Sequence, residues 1–450
     1  MAHVNDVRVK GVRCEFEETP FRTPLKFGGR VVAGSQVIHV VAAVETADGR
    51  RAEGAGAMPL GNVWGWPSAV VSPDEGAEAV RRLALASSDW LAEYAETGHP
   101  LDVEIELERA LDSLADEVVK DLGLAEPMPK LMALVAASPT VAALHDAYGK
   151  VHGRSVYDCY GPEFVARDLS HYLTPEFQGE YLDRYVSRAP RPTMPLYHLV
   201  GAMDPLTSAD MARPIGDGLP ETLVEWIDRE GLTHLKIKLS GDDPAWDLER
   251  VKAVDRIAEE AGRRRGRNDW WFSLDFNEKA RDAEQVLDLF ERLRTEAPGA
   301  LEKIQYVEQP TARDLKAHPE ATMHRVAAVR PVVIDESLTG LDNLLLAIER
   351  GYSGVALKTC KGHGQALLMA AYAQKHGLFL CVQDLTCPGA SLLHSAGLAA
   401  RVPGVEGIEG NARQYCPAAN ARWENRYGGL FHPTDGTIPT ALLDGPGLGF

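Results

Sequence analysis

The spacing of apolar residues changes once along the chain, and the change separates two architectures. Residues 7–17 and 36–46 alternate or run apolar with β-branched content, which predicts antiparallel strands. Between them TPFRTPLKFGG, residues 19–29, is marked by its prolines and glycines as a loop, and MPLGNVWGWP at 58–67 reads as a second one. Residues 75–153 read as mostly helical, with Pro and Gly breaks near 98–100 and 123–129. The first third is therefore α+β.

From about residue 195 the pattern becomes short apolar runs separated by amphipathic helices. The runs are PLYHLV (195–200), HLKIKL (234–239), WFSLD (271–275), IQYVE (304–308), PVVID (331–335), GVALK (354–358), LFLCV (378–382) and VEGIE (405–409). Each start follows the last by enough chain for a helix and two turns. The helices are punctuated as helices should be: LPETLVEWIDREG has Pro220 near its start and Gly231 just past its end, and Gly351 and Gly377 close others. Eight strand–helix units in series predict parallel strands with right-handed crossovers. Eight units favour a closed (β/α)-barrel over an open sheet. No glycine-rich phosphate fingerprint follows the first run, which counts against a dinucleotide fold.

Composition narrows the partners. A net charge of −18 argues against a nucleic-acid binder, which needs a basic face. No apolar run approaches the length of a membrane span, and the N-terminus lacks the apolar core of a signal peptide. Cys14, Cys159, Cys360, Cys381, Cys387 and Cys416 lack the paired spacing of a zinc site or disulfide framework. The expectation is a reduced, soluble, cytoplasmic protein acting on a small molecule.

The chemistry is at the ends of the runs, where a (β/α)-barrel keeps its active site. Lys236 and Lys238 lie on one face of the second strand, and Asp275 and Asn277 close the third. Glu308 ends the fourth, Asp335 and Glu336 the fifth, and Lys358 the sixth. Singly, each has a bland explanation: a solvated lysine pair, a helix N-cap, loop chemistry. Jointly they converge three carboxylates from consecutive strands on one point, with amines on either side. Oxygen-only ligation suits Mg²⁺, and a lysine base fits removal of a proton next to a carboxylate if neighbouring positive charge lowers its pKa.

In this arrangement the sequence resembles the enolase superfamily, in its mandelate racemase/muconate lactonizing enzyme branch. ASPTVAALHDAYGKVHGRSVYDCYG (137–161) resembles the helix leading from the family's capping domain into its barrel. IKLSGDD, LDFNEKA, YVEQP, VIDES and LKTCKGHGQAL resemble its barrel strands in order, and DGTIPTALLDGPGLGF its C-terminal return to the cap. A Lys-x-Lys on strand 2 with a lysine on strand 6 resembles the muconate-lactonizing-enzyme-like subgroup. The resemblance implies Asp275, Glu308 and Asp335 as ligands of Mg²⁺ (Mn²⁺ being the alternative ion), Lys238 and Lys358 as acid/base groups, and Lys236 at the substrate carboxylate. It implies outer, supporting places for Asn277 and Glu336, and a homo-oligomer. Lys361 is a rival for Lys358, but its position past the strand predicts a side chain on the loop surface.

The sequence departs from the better-known epimerases after strands 7 and 8. Gln383-Asp384-Leu385-Thr386 and Glu409-Gly410-Asn411 stand there, and the Asp-x-Asp with which dipeptide epimerases hold a substrate ammonium is missing. Asp384 and Glu409 are candidates for a cationic or hydroxyl-bearing substrate end, with a structural cap as the alternative for each. Phe27 and Trp64, in the two early loops, are candidates to cover the barrel mouth. The expected domains are an α+β cap over 1–140, completed by 416–450, and a barrel over 141–415. The leading expectation is a racemase or epimerase working through an enolate. The alternatives are a syn-eliminating lyase or cycloisomerase of the same superfamily, and a catalytically silent metal-binding barrel.

Overall fold

The computed structural model describes residues 3–27, 30–211 and 213–450, and only the backbone of Phe27. Three strands, β1 (Val7–Phe27), β2 (Arg30–Thr46) and β3 (Arg51–Pro59), form an antiparallel sheet with a two-residue β4 (Thr97–Gly98) beside β1. One face of β2 presents Ile38, Val40, Ala42 and Val44, all buried, at the two-residue period of a half-buried strand.

This sheet differs from the sequence expectation in one stretch and adds β3, of which residues 51–57 carried no expectation. Residues 19–27 are not a loop. β1 and β2 stay paired to Phe27 and Arg30, absorbing Pro20 and Pro24 in a register shift between Pro20 and Leu25. A bulge accommodates prolines that could not serve a regular ladder. The strand β3 carries no apolar alternation because its glycines are there for a helix. A Cβ on Gly54 would lie 2.0 Å from the backbone nitrogen of Ala147, and one on Gly56 2.0 Å from the carbonyl of Pro139.

Four helices complete the first unit: the short α1 (Asn62–Gly65), then α2 (Pro73–Glu93), α3 (Pro100–Leu122) and α4 (Lys130–Val151). Ser72 and Glu75 form a reciprocal capping box at the start of α2. Almost every residue of α4 is buried, as befits a helix enclosed between the sheet, its neighbouring helices and the barrel.

The remaining strands close a barrel. In order these are β5 (Thr193–Val200), β6 (His234–Lys238), β7 (Trp271–Asp275), β8 (Ile304–Glu308), β9 (Val332–Ile334), β10 (Gly354–Leu357), β11 (Phe379–Val382) and β12 (Val405–Glu409), all parallel, with β12 pairing back onto β5. These are the eight apolar runs of the sequence. Tyr197, Tyr306, Val333, Ala356 and Cys381 fill one interior layer, making the barrel a packed core. A last strand, β13 (Thr437–Pro439), runs antiparallel to the start of β5. The final turn then returns to α4, where Asp146 accepts the Leu448 amide at 2.9 Å. Among the described residues no helix is long and apolar enough to cross a membrane.

Candidate active site

Parallel register sets the level of each polar strand end. Lys238 lies beside Asp275, and Asp275 beside Glu308, so three adjacent strands point these side chains to the same side at the same height. Asp335 follows β9 and Lys358 follows β10, continuing the arc. All three carboxylates are almost fully buried.

The site is a lattice of ammonium and carboxylate groups. Lys236 Nζ reaches Glu308 Oε1 at 2.8 Å, Glu409 Oε2 at 2.9 Å and Asp275 Oδ2 at 3.3 Å. Lys238 Nζ bonds Asp275 Oδ2 and, at 3.1 Å, Asn277 Oδ1. Lys358 Nζ lies 2.9 Å from Asp335 Oδ2, and Lys361 Nζ 3.1 Å from Asp335 Oδ1. Burial opposes charge on Lys236, but the three carboxylates around it outweigh that and hold it protonated. Asp275 is treated alike: burial would raise it, yet Lys238 and Lys236 hold it below the ordinary carboxylate range. Lys358 is likewise kept cationic by Asp335 against its burial.

One of these contacts corrects the sequence expectation. Lys361 is not on a loop surface: it is buried and bonded to Asp335. The residues 359–361 form a single 3-10 turn after β10, and that turn folds Lys361 back to the same carboxylate that Lys358 meets. Spacing on an extended strand could not anticipate it.

Amides orient the acids. Gln309 Oε1 accepts from the backbone nitrogens of Asp335 and Ser337 at 3.1 and 3.2 Å, tying the end of the fourth strand to that of the fifth. Gln383 donates to Glu308 Oε2. Neither glutamine was singled out from the sequence as part of the site, and only the proximity of Gln309 to Glu308 hinted at it.

Of the remaining candidates, Glu409 faces into the lattice through Lys236. Asp384 instead accepts backbone amides of Thr386, Cys387 and Asn411, the work of a loop cap. Burial, then the charge of Glu409, push Asp384 up to about 7. Glu336 is also pushed up to about 7, by burial first and the adjacent Asp335 second. Trp64 comes from the first domain, with its ring centroid 4.4 Å from Lys358 Nζ and its Nε1 donating to Glu336 Oε1 at 2.9 Å. The side chain of Phe27 lies outside the described residues.

The donor set suits a hard divalent cation: carboxylate oxygens from three consecutive strands, buried and without sulfur or imidazole. Among the described residues no three such groups are drawn together around an open point. The reason is visible in the contacts, since both oxygens of each acid are held by lysine, glutamine or backbone donors.

The sequence profile described as Enolase C-terminal domain-like matches residues 219–450, over half of the chain. The chain belongs to the mandelate racemase/muconate lactonizing enzyme family of the enolase superfamily.

Solved structures agree on the fold. The L-Ala-D/L-Glu epimerase from Bacillus subtilis superposes with a TM-score of 0.62 at 18% identity, covering 98% of each chain. The muconate lactonizing enzyme from Pseudomonas fluorescens gives 0.58 at 18%, over 98% of this chain and 96% of that one. A dipeptide epimerase from Enterococcus faecalis, complexed with Mg and the dipeptide L-Leu-L-Tyr, gives 0.60 at 17%, over 98% and 99%. No curated protein matches by sequence. The polar strand ends lie together at the C-terminal end of the barrel strands, where Trp64 of the first unit meets Lys358.

Proposed function

We propose that this enolase-superfamily protein is a divalent-metal-dependent racemase or epimerase that removes and returns the proton α to a substrate carboxylate. The observation that carries the reading is the placement of two lysines. Lys238 ends the second barrel strand and Lys358 follows the sixth, four strands apart in a closed ring of eight, hence on opposite sides of the mouth. Two bases facing one α-carbon from opposite sides are what a two-base proton transfer needs.

Asp275, Glu308 and Asp335 would hold the cation, and Mg²⁺ is favoured by their all-oxygen chemistry and by the Mg in the Enterococcus faecalis dipeptide epimerase. Bound there, it supplies positive charge against the substrate carboxylate. The chain's own groups do the rest. A cation on Asp335 would take over the charge that now holds Lys358 protonated; whichever of Lys238 and Lys358 is then the neutral amine would take the α-proton, and the other, as an ammonium, would deliver one to the opposite face. Lys236, kept cationic, stabilises the negative charge that develops between those events. The cap with Trp64 excludes water while the carbanion is exposed.

A cycloisomerase or syn-eliminating lyase is the second reading. It is favoured by the cationic Lys358 between Asp335 and the Trp64 ring, a setting suited to a fixed charge beside one working base. The test is deuterium incorporation from heavy water at the α-carbon of carboxylates such as dipeptides, N-acyl amino acids and hydroxy acids. Racemisation with exchange supports the first reading, and a product lacking the α-proton supports the second. No exchange and no product from a metal-loaded protein would favour a silent barrel.

A further inference from the structure

Glu278 is in a conformation that its side chain does not favour. It follows Asn277 out of β7, and both residues are left-handed, with φ of 66° and 50°. Glycine is the residue that occupies this region without a Cβ penalty. Non-glycine strain of this kind persists where the surroundings hold it, and it gathers at functional sites. Here the turn aims the Glu278 carboxylate at Arg313, in the loop after β8. Arg313 Nε and Nη2 each donate to one oxygen of Glu278 at 2.6 Å, a fork-to-fork pair.

The guanidinium has two further donations, and both go to the cap. Nη2 reaches the carbonyl of Trp64 at 3.1 Å and Nη1 that of Gly65 at 3.3 Å. These are the last carbonyls of the four-residue helix α1, which have no partner within a helix so short. Arg313 is itself fastened from behind, because its carbonyl accepts the Ser337 hydroxyl at 2.8 Å. One side chain therefore joins the loops after the third and fourth barrel strands to the cap turn carrying Trp64. That indole reaches Lys358 on one side and Glu336 on the other.

We infer that Arg313, aimed by Glu278, is a positioning residue that clamps the Trp64 turn over the barrel mouth and so sets Lys358. The inference rests on the proposed role of Lys358, but its test includes a readout that does not. Lysine cannot replace Arg313, because a point charge cannot fork to Glu278 and reach two carbonyls at once.

The experiment is fluorine NMR of the full chain grown with fluorotryptophan, in which the Trp64 resonance is the one lost in Trp64→Phe. In Arg313→Ala, Arg313→Lys and Glu278→Gln this resonance should move or broaden, while those of the six tryptophans outside the 62–66 turn stay. The α-proton exchange rate at saturating substrate should fall about tenfold or more in Arg313→Ala, as expected when a working group is misplaced. If Arg313→Ala fails to fold, Arg313→Lys and Glu278→Gln decide the matter. If the wild-type chain exchanges no α-proton, the proposed function fails and the Trp64 resonance alone judges the clamp. An unmoved Trp64 resonance in folded Arg313→Lys and Glu278→Gln overturns the inference.

Discussion

The Lys358 ammonium lies 4.4 Å from the centre of the Trp64 indole, so a residue of the cap forms one wall around a barrel lysine. A cation over an aromatic face is favoured by the ring's quadrupole, more so when water is excluded. Replacing Trp64 by Phe keeps a ring face but removes the donor to Glu336, leaving a buried carboxylate oxygen without its partner. We expect a stability loss of about 1–3 kcal/mol in thermal or denaturant melts. Trp64→Ala should also raise KM severalfold by opening the mouth. A large stability loss with unchanged kinetics would mean that the ring only packs.

Metal binding should be visible in stability as well as in activity. Three buried carboxylates on adjacent strands repel one another, and a cation that binds only the folded state stabilises it by mass action. Stripping divalent ions should abolish turnover and lower the melting temperature, and Mg²⁺ should restore both. At a hundredfold excess over its Kd the recovered stability should be about 2.7 kcal/mol. Full activity after verified metal removal would sink the assignment of Asp275, Glu308 and Asp335.

The two-base reading has a stereochemical signature. Lys238→Ala and Lys358→Ala should each stop racemisation, while each retains exchange of the α-proton of one enantiomer only, and of opposite enantiomers. Mass spectrometry of single enantiomers in heavy water measures this directly. The same preference in both variants would transfer support to the eliminase reading. Lys361→Ala is informative because Lys361 and Lys358 bond different oxygens of Asp335. We expect it to strengthen metal binding, because the ammonium competes with a cation for Asp335 Oδ1, while leaving enantiomer selectivity unchanged.

Asp384 predicts a pH dependence outside the proposed metal ligands. Its folded-state pKa, raised to about 7 by burial and by Glu409, lies above the ordinary 3.8. The folded protein therefore binds the extra proton between those values. Its stability should fall as pH rises through that window, by up to about 1.4 kcal/mol per unit for one proton. The loss is complete above pH 7. Asp384→Asn should flatten that slope in denaturant melts from pH 4 to 8. An unchanged slope would show that Asp384 stays ionised on its three backbone amides.

The barrel was legible in the sequence for a physical reason. Buried parallel strands must be apolar along their length, and their crossover helices must be amphipathic and capped, so eight such units leave a periodic trace. The polar strand ends were legible too: charge at the end of an apolar strand is costly unless it has a use, and Lys238, Asp275, Glu308, Asp335 and Lys358 recur there, with Lys236 on the same face of β6. The composition and spacing of the chain by themselves determined this much. Tertiary structure decided the rest, because the remaining partners lie far apart along the chain. Residues 19–27 look like a loop until β2 pairs with them, and β3 looks like nothing until α4 lies against Gly54 and Gly56. A single 3-10 turn takes Lys361 from the expected surface to Asp335. Local sequence carries no trace that Glu278 meets Arg313, or that Arg313 holds the carbonyls of Trp64 and Gly65 some 250 positions away. Periodicity records what a residue's neighbours along the chain require, whereas a clamp between cap and barrel exists only once both have folded.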